Sequence, residues 1–237
     1  MTRAPSAPDK PRRDSAATQK RLLDAAENEF AVRGFAGARL RDIAAAASVQ
    51  VTLIHHYFED KRGLYRAVVE RALLPTQEAS WSLIREHHDL EPLARGFVRM
   101  LTSYYVKHKN VLAIARHELV AGSDVLRDIL RERLSPVASA AIDALRDMQR
   151  KGSIRDDIDP SDIVVMAISM AAYPFVEAPL IDAVVPGAVP GDGRSLSRRE
   201  DAIVLVLVRA LRPDPAALRP DPAAHPPRSA APFDPAD

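Results

Sequence analysis

The stretch "RLRDIAAAASVQVTLIHHYF", residues 39–58, decides the fold of this 237-residue chain. Its first part, "LRDIAAAA" at 40–47, is short and rich in alanine, which favours an α-helix. A tight turn at Ser48 and Val49 follows, and a second short helix is predicted from about residue 50 to 57. Two short helices joined in this way form a helix-turn-helix, the geometry in which a second helix enters the major groove of DNA.

Apolar residues are placed so that the two predicted helices pack together. We expect Ile43, Ala44, Ala47 and Val49 to contact Ile54 across the turn. Any two packed short helices share this pattern, so it predicts a local geometry and is only moderately specific for a function.

The composition is that of a globular protein of one or two domains. It is 47% hydrophobic and 27% charged and has no cysteine, which excludes disulfides and thiolate chemistry. The longest apolar run, residues 163–176, contains a proline and is shorter than the roughly 20 residues of a membrane span. The N-terminus shows no apolar secretory segment, so we expect a cytoplasmic protein.

Charge is distributed unevenly along the chain. Residues 1–75 hold 13 Lys or Arg against 9 Asp or Glu, a net charge of +4, whereas the remainder holds 20 against 23, a net charge of −3. A basic N-terminal third points weakly to a polyanionic partner, although a solvated mixed surface explains the charge equally simply.

The sequence predicts an all-α protein with four regions. Residues 1–14 form a basic, proline-rich arm and residues 213–237 a proline-rich tail, and both are predicted to be disordered. Residues 15–75 form the helix-turn-helix domain, and residues 76–212 form a second helical domain, whose regulatory and dimerisation roles are implied by the family resemblance described below.

Helix-breaking and helix-capping residues predict where individual helices begin and end. Gly34 is expected to end the first helix and Pro75 the fourth, and Ser135 is expected to cap a helix that has Pro136 at its first position. The predicted helices of the second domain are 76–87, 92–108, 110–121, 124–134, 136–151 and one from 160 to about 183, with bends at Pro174 and Pro179.

The last element is ambiguous by pattern alone. "IVLVLV", residues 203–208, is rich in β-branched residues and has no polar face, so it suits a buried strand as well as a helix. Ser197 and Glu200 have capping-box spacing, and no second convincing strand is present, so we predict a helix. A helix that is apolar all round must be buried all round, which a partner subunit achieves most simply.

A fixed order of small, aromatic and charged residues extends the motif to residues 20–69. Its members are Ala25, Ala26, Phe30, Gly34, Phe35, Asp42, Ile43, Ala44, Val49, Tyr57, Phe58, Lys61, Leu64 and Tyr65. In order and spacing they resemble the DNA-binding domain of the tetracycline-repressor-like (TetR/AcrR) family of transcriptional regulators. The resemblance covers about fifty residues, and the rest agrees as a helical domain of suitable length.

The resemblance implies a specific architecture and function. The first three helices would form the DNA-binding head, with the third as recognition helix, and the fourth would link to a helical regulatory domain. The last two helices would pair with those of a second subunit. The protein is therefore expected to be a homodimer that binds palindromic double-stranded operator DNA, most simply a repressor that answers to a small-molecule effector.

Base reading is assigned to the start of the recognition helix. Gln50 suits adenine, and Thr52 or Leu53 can contact the thymine methyl group. Arg39 and Arg41 flank the groove and are expected to contact the DNA backbone.

The end of the recognition helix offers hydrogen-bond donors to DNA. His55 and His56 can donate to a phosphate or a base edge. Tyr57 can reach a phosphate with its hydroxyl group while its ring stays packed, and Lys61 lies where the next helix begins, a favourable place for phosphate. The adjacent histidines point about 100° apart, so they cannot bind one metal ion together.

Apolar rings and thioethers of the second domain are candidates for an effector site that would suit an apolar or aromatic ligand. They are Phe97, Leu101, Tyr104, Tyr105, Ile114, His117, Met166, Met170 and Tyr173, with His117 as a polar anchor. Plain core packing explains each of them as well.

Other functions have weaker support in the sequence. "HELVA", residues 117–121, lacks the second histidine of a zinc-protease motif, and no catalytic set of residues stands out. We expect no enzyme, no metal site and no cofactor. Two alternatives remain: a helical protein-binding module that does not bind DNA, and an α-helical enzyme that uses the cavity of the second domain.

Overall fold

The computed structural model describes residues 10–121 and 124–213. Within these ranges the chain is all-α, as predicted, and no strand is present. The helices are α1 Lys10–Gly37, α2 Leu40–Ala46, α3 Val51–Phe58, α4 Lys61–Glu86, α5 Leu90–Lys107, α6 Lys109–Ala121, α7 Asp124–Arg150, α8 Pro160–Val176, α9 Ala178–Val184 and α10 Gly193–Ala210.

The first helix starts earlier than the composition predicts. It begins at Lys10, inside the segment 1–14 that was expected to be disordered. Residues 1–9 lie outside the described residues, as do residues 214–237 of the predicted tail. Near its other end, the backbone leaves helical geometry at Gly34, as the sequence predicts, and helical residues continue to Gly37.

Two prolines that were predicted to separate helices lie inside continuous ones. α4 runs through Pro75 and α7 runs through Pro136, so the predicted breaks and the predicted cap at Ser135 are wrong. In each helix the buried residues lie on both sides of the proline, and their packing outweighs a local cost of about 3 kcal/mol. The Gln77 amide also donates to the Arg133 carbonyl over 2.6 Å, which ties the two helices together near their prolines.

The C-terminal helices also differ from the prediction at their ends. The predicted helix from 160 to about 183 is two helices, α8 and α9, which meet at Glu177 with a bend of 84°. α10 begins at Gly193, where Asp192 and Ser195 form a capping box, so the predicted cap at Ser197 is wrong. The segment 203–208 is helical, as predicted.

One apolar core joins the helix-turn-helix region to the helices that follow it. Phe30 and Ile43 are fully buried there beside Ile114 of α6 and Ile129 of α7. A second cluster lies between α5, α8 and α10, around Val98. α4 crosses residue 75, so the predicted domain boundary falls within a continuous helix.

No single helix among the described residues is both long and apolar enough to cross a bilayer. α8 and α9 meet the length and composition criteria only as a pair, across their 84° bend.

Candidate nucleic-acid interface

The helix-turn-helix predicted from residues 39–58 is confirmed. α2 and α3 are joined by a turn in which Ser48 takes a left-handed backbone conformation, with φ at 55°. The Ser48 amide donates to the Ala45 carbonyl and the Val49 amide to the Ala44 carbonyl, each over 3.0 Å. These bonds satisfy carbonyl groups at the end of α2 and set the angle at which α3 leaves the turn.

The predicted packing of the two helices is also confirmed. Ile43, Ala44, Ala47 and Ile54 are buried, and Val49 is half-buried against them. Val51, Leu53, Tyr57 and Phe58 of α3 also pack against this core, so the exposed outer side of the helix is formed by polar residues.

The outer side of α3 carries residues that can read base edges. Gln50, Thr52, His55 and His56 are exposed, and the last three share one helix face because they lie three and four positions apart. Leu53 is half-buried and packs on the core of the head. The structure thus brings together four of the five residues assigned to this part of the interface, with Leu53 turned partly inward.

The two histidines have different surroundings. His55 Nδ1 lies 2.7 Å from the carbonyl oxygen of Glu59. A carbonyl oxygen only accepts, so Nδ1 carries the hydrogen, and Nε2 of the neutral ring is left as an acceptor. The ring of His56 lies edge-on to Tyr57, with centroids 4.9 Å apart. His55 can therefore accept from a base amino group when neutral and donate when protonated.

Tyr57 connects the recognition helix to the start of α1. Its ring is half-buried against the core, and its hydroxyl donates to Ser15 Oγ over 3.2 Å. Sequence reasoning assigned the hydroxyl to phosphate and missed Ser15, because a contact across 42 residues leaves no local pattern.

Lys61 lies in the first turn of α4 and faces the end of α1. Its Nζ donates to the Ala36 carbonyl over 3.2 Å and lies 4.9 Å from the centre of the Phe35 ring. Partial burial lowers the pKa of Lys61. Asp60 caps the same helix by accepting from the Gly63 amide over 2.8 Å. The phosphate contact assigned to Lys61 stays a prediction.

The two arginines assigned to the DNA backbone are both exposed beside the turn. Arg39 occupies the N-cap position of α2 without a side-chain cap, and Arg41 lies 3.6 Å from Asp42. Arg41 keeps 70% of its side chain exposed, so this ion pair leaves its guanidinium available.

A junction between α1 and α6 fixes the head on the rest of the molecule. The Phe35 amide donates to Glu118 Oε1 over 3.2 Å, and His117 Nε2 donates to the Ala31 carbonyl over 3.1 Å. Glu118 is buried, and its charge adds to burial in raising the pKa of Tyr65 far above its ordinary value. His117, predicted to line an effector site, is instead part of this junction, and no sequence pattern indicated the role of Glu118.

We expect Gly34→Ala to lower the free energy of unfolding by about 1–3 kcal/mol. Gly34 has φ 67° and ψ 176°, a region that only glycine occupies readily, and an added Cβ would lie 3.0 Å from His117 Cβ. Denaturant unfolding measures the loss. Gly37→Ala is the matched control, because its Cβ would meet Arg33 Cβ at an ordinary 3.4 Å; equal losses in the two variants would contradict the strain at Gly34.

Three of the residues predicted to form an effector site line three different cavities. Phe97 lines a cavity of about 80 Å³, Met170 one of about 380 Å³ and Tyr105 one of about 480 Å³. The others lie outside these cavities: Ile114 in the core, His117 at the junction, Tyr104 against Tyr105 and His108, Leu101 half-buried, and Met166 and Tyr173 exposed on α8.

Metal binding has no support in the described part of the chain. Across residues 10–121 and 124–213, no group of three or more His, Asp or Glu residues is arranged to hold an ion. His55 and His56 lie side by side on the exposed face of α3, apart from any such group.

Two regions of the chain match known families. Residues 22–68, which include the helix-turn-helix, match the bacterial regulatory proteins of the tetR family, and residues 93–206 match the tetracyclin repressor-like C-terminal domain. The HTH-type transcriptional repressor SCO4008 of Streptomyces coelicolor is 31% identical over 164 residues, which cover 69% of this chain and 81% of that protein. The chain belongs to the TetR family.

Other similar proteins agree with this TetR-family membership. The HTH-type transcriptional regulator RutR of Escherichia coli K12 is 27% identical over 83% of this chain and 92% of its own length. The structure of Streptomyces coelicolor SCO4942 superposes with a TM-score of 0.60 at 25% identity, covering 83% of this chain and 99% of that one. The relatives are transcriptional regulators rather than enzymes. This TetR-family chain is a DNA-binding transcriptional repressor.

Proposed function

We propose that this TetR-family protein acts in the cytoplasm as a homodimer that binds a palindromic operator and releases it when a small molecule binds residues 76–212. The observation that carries the proposal is the outer side of α3, where Gln50, Thr52, His55 and His56 are exposed together beside a buried inner side. A helix with this arrangement offers base-reading groups to a major groove.

We assign the phosphate contacts to residues that border α3. Arg39 and Arg41 are exposed at the start of α2, and the Tyr57 hydroxyl and the Lys61 ammonium border the end of α3. Contacts of this kind fix the register of a protein on DNA and carry no base information themselves.

The dimer is proposed to form through α8 and α10. On α8, Val165, Ile168 and Tyr173 are 60%, 39% and 49% exposed, and on α10 Leu205 and Val206 are 50% and 55% exposed. The opposite sides of both helices are buried in the chain's own core. A second copy placed on this apolar patch would cover it and give the α10 helix the burial that its sequence requires.

Selection of bound fragments from genomic DNA tests the proposal most broadly. The purified protein is expected to retain a small set of fragments that share an inverted repeat with half-site centres about 10 base pairs apart, or a multiple of one turn. Retention should fall steeply as salt rises, because phosphate contacts release counterions. Equal retention of all fragments would contradict operator recognition.

We expect Lys61→Met to weaken binding to every DNA sequence alike and to lower the slope of log affinity against log salt by about one per protomer contact. The apolar stem of methionine keeps the packing over Phe35 while removing the charge. Gel-shift titrations over a salt series measure the slope. Lys151→Met, which removes an exposed charge after α7, is the control. An unchanged slope for Lys61→Met would contradict a phosphate contact and would mean that Lys61 contacts only α1.

Effector control of operator binding has a parallel in a protein of the same fold. Bacillus subtilis FadR, which shares this fold with a TM-score of 0.64 at 17% identity over 81% of this chain and 99% of its own, was crystallised with stearoyl-CoA. An effector can shift the operator equilibrium only by its different affinity for the two states of the protein. Adding candidate ligands to the gel-shift assay should reveal at least one that lowers operator affinity.

A further inference from the structure

We propose that the effector is a small amphipathic anion, with an apolar or aromatic body and a carboxylate, sulfonate or phosphate group, and that it binds between α5, α6 and the α8–α9 bend. This inference rests on the proposed function, because it names the chemical class of the effector. The cavity at this place measures about 480 Å³, within the usual range for small-molecule sites.

One side of the cavity is apolar and aromatic. Tyr105 of α5 and Phe175 of α8 stack with ring centroids 6.0 Å apart and an angle of 16° between their planes. Leu112 of α6 and Pro179 of α9 continue this surface. Burial raises the pKa of Tyr105 above its ordinary value. Such walls suit an aromatic or aliphatic ligand body.

Cationic side chains of α6 also line the cavity. Lys109 and Arg116 both contribute, and both are exposed. The carboxylate of Glu177 lies 4.0 Å from Arg116, at the limit of an ion pair, and Lys109 has no ion pair with the described residues. Two cations and one carboxylate leave this site with a net positive charge. An anionic group of the ligand could pair with that charge.

Two other cavities among the described residues suit this role less well. The cavity beside Phe97 has about 80 Å³, below the usual range for small-molecule sites, and its almost wholly apolar lining offers no charged group to an anion. The cavity beside Met170 has about 380 Å³ and includes Val206, which lies on the proposed dimer patch, so a second copy would cover part of it.

Helix α6 connects the proposed site to the DNA-binding head. Arg116 lines the cavity, and the next residues, His117 and Glu118, hold the end of α1 through the Ala31 carbonyl and the Phe35 amide. A ligand anion that draws Arg116 toward it therefore pulls on the helix that positions the head.

A matched pair of fluorescent probes tests the site on the full chain. The anion is 8-anilinonaphthalene-1-sulfonate, and the neutral control is N-phenyl-1-naphthylamine, the same ring system without the sulfonate. We expect Lys109→Gln with Arg116→Gln to weaken the sulfonate about tenfold and the neutral probe less than about twofold. Ala113→Phe, which fills the cavity from α6, should weaken both probes.

The control for charge is Arg146→Gln with Arg150→Gln, two exposed arginines of α7 that do not line the cavity. It should leave both probes unchanged. The site is overturned if the Lys109 and Arg116 variant binds the sulfonate as tightly as the original protein, or if Ala113→Phe leaves both probes unaffected. Retention of operator fragments is measured separately, in the absence of any probe. A loss of DNA binding is thereby distinguished from a loss of probe binding in the cavity.

Discussion

Replacing Leu205 and Val206 together by glutamate is expected to turn the dimer into a monomer and to weaken operator binding by about 10²–10⁴. Both side chains lie on the exposed apolar side of α10, beside the exposed apolar residues of α8. Each new carboxylate would be buried without a partner in the proposed interface, which is costly. A monomer presents one head, so it loses the gain in affinity that two linked heads provide on one operator.

Sedimentation of the free protein and gel shifts on a selected operator measure the two effects. Val120→Glu makes the same chemical change on α6 at a residue that is 92% exposed, outside the patch, and should leave both measurements unchanged. A Leu205 and Val206 variant that stays dimeric and binds the operator normally would place the interface elsewhere.

Phe30→Ala is expected to lower the free energy of unfolding by about 3–5 kcal/mol, a large share of the 5–15 kcal/mol typical of a domain. Phe30 is fully buried, and its ring lies 5.1 Å from Tyr65 and 6.3 Å from Phe35. It packs in the same cluster as Ile114, so the cavity left by the change would loosen the head and its contact with α6 at once.

Guanidinium unfolding followed by circular dichroism measures this loss through the shift in midpoint. Val32→Ala, two positions along the same helix and 72% exposed, is the control and should stay within about 0.5 kcal/mol of the original protein. A loss below about 1 kcal/mol for Phe30→Ala would show that the aromatic cluster does not join the two regions.

The parts of the fold that follow from local chemistry were predictable. The stretch 39–58 combines helix-favouring residues, a turn and apolar spacing over a short distance, so its geometry follows without knowledge of the rest of the chain. The exposed side of α3 follows as well, because burial of Ile43 and Ile54 leaves Thr52 and His56 on the outside.

Long-range contacts explain the incorrect predictions. Glu200 was read as part of a cap with Ser197, yet it is buried and accepts a 2.5 Å hydrogen bond from Thr102, 98 residues away. Pro75 and Pro136 were expected to end helices, and packing carries both helices through them. Information of this kind lies in the tertiary structure, which no local spacing reveals.

The two candidate sites also differ in how far they can be predicted from local sequence. The residues of α3 that we propose to face DNA are close in sequence, so a pattern can find them together. An effector site is assembled from separate helices, so the sequence could propose Tyr105 but could not place it in one cavity with Arg116 and Phe175. His117 was misplaced because the sequence does not say which face of α6 meets α1.

We propose that two α3 helices of one dimer occupy two half-sites of a single operator. Inserting five base pairs between the half-sites of a selected operator tests it directly, because this rotates one half-site by about half a turn of DNA. Gel-shift affinity is expected to fall by about 10² or more, with the two-protomer complex lost. Unchanged affinity for the lengthened operator would show that the two heads bind independently and would contradict the claim.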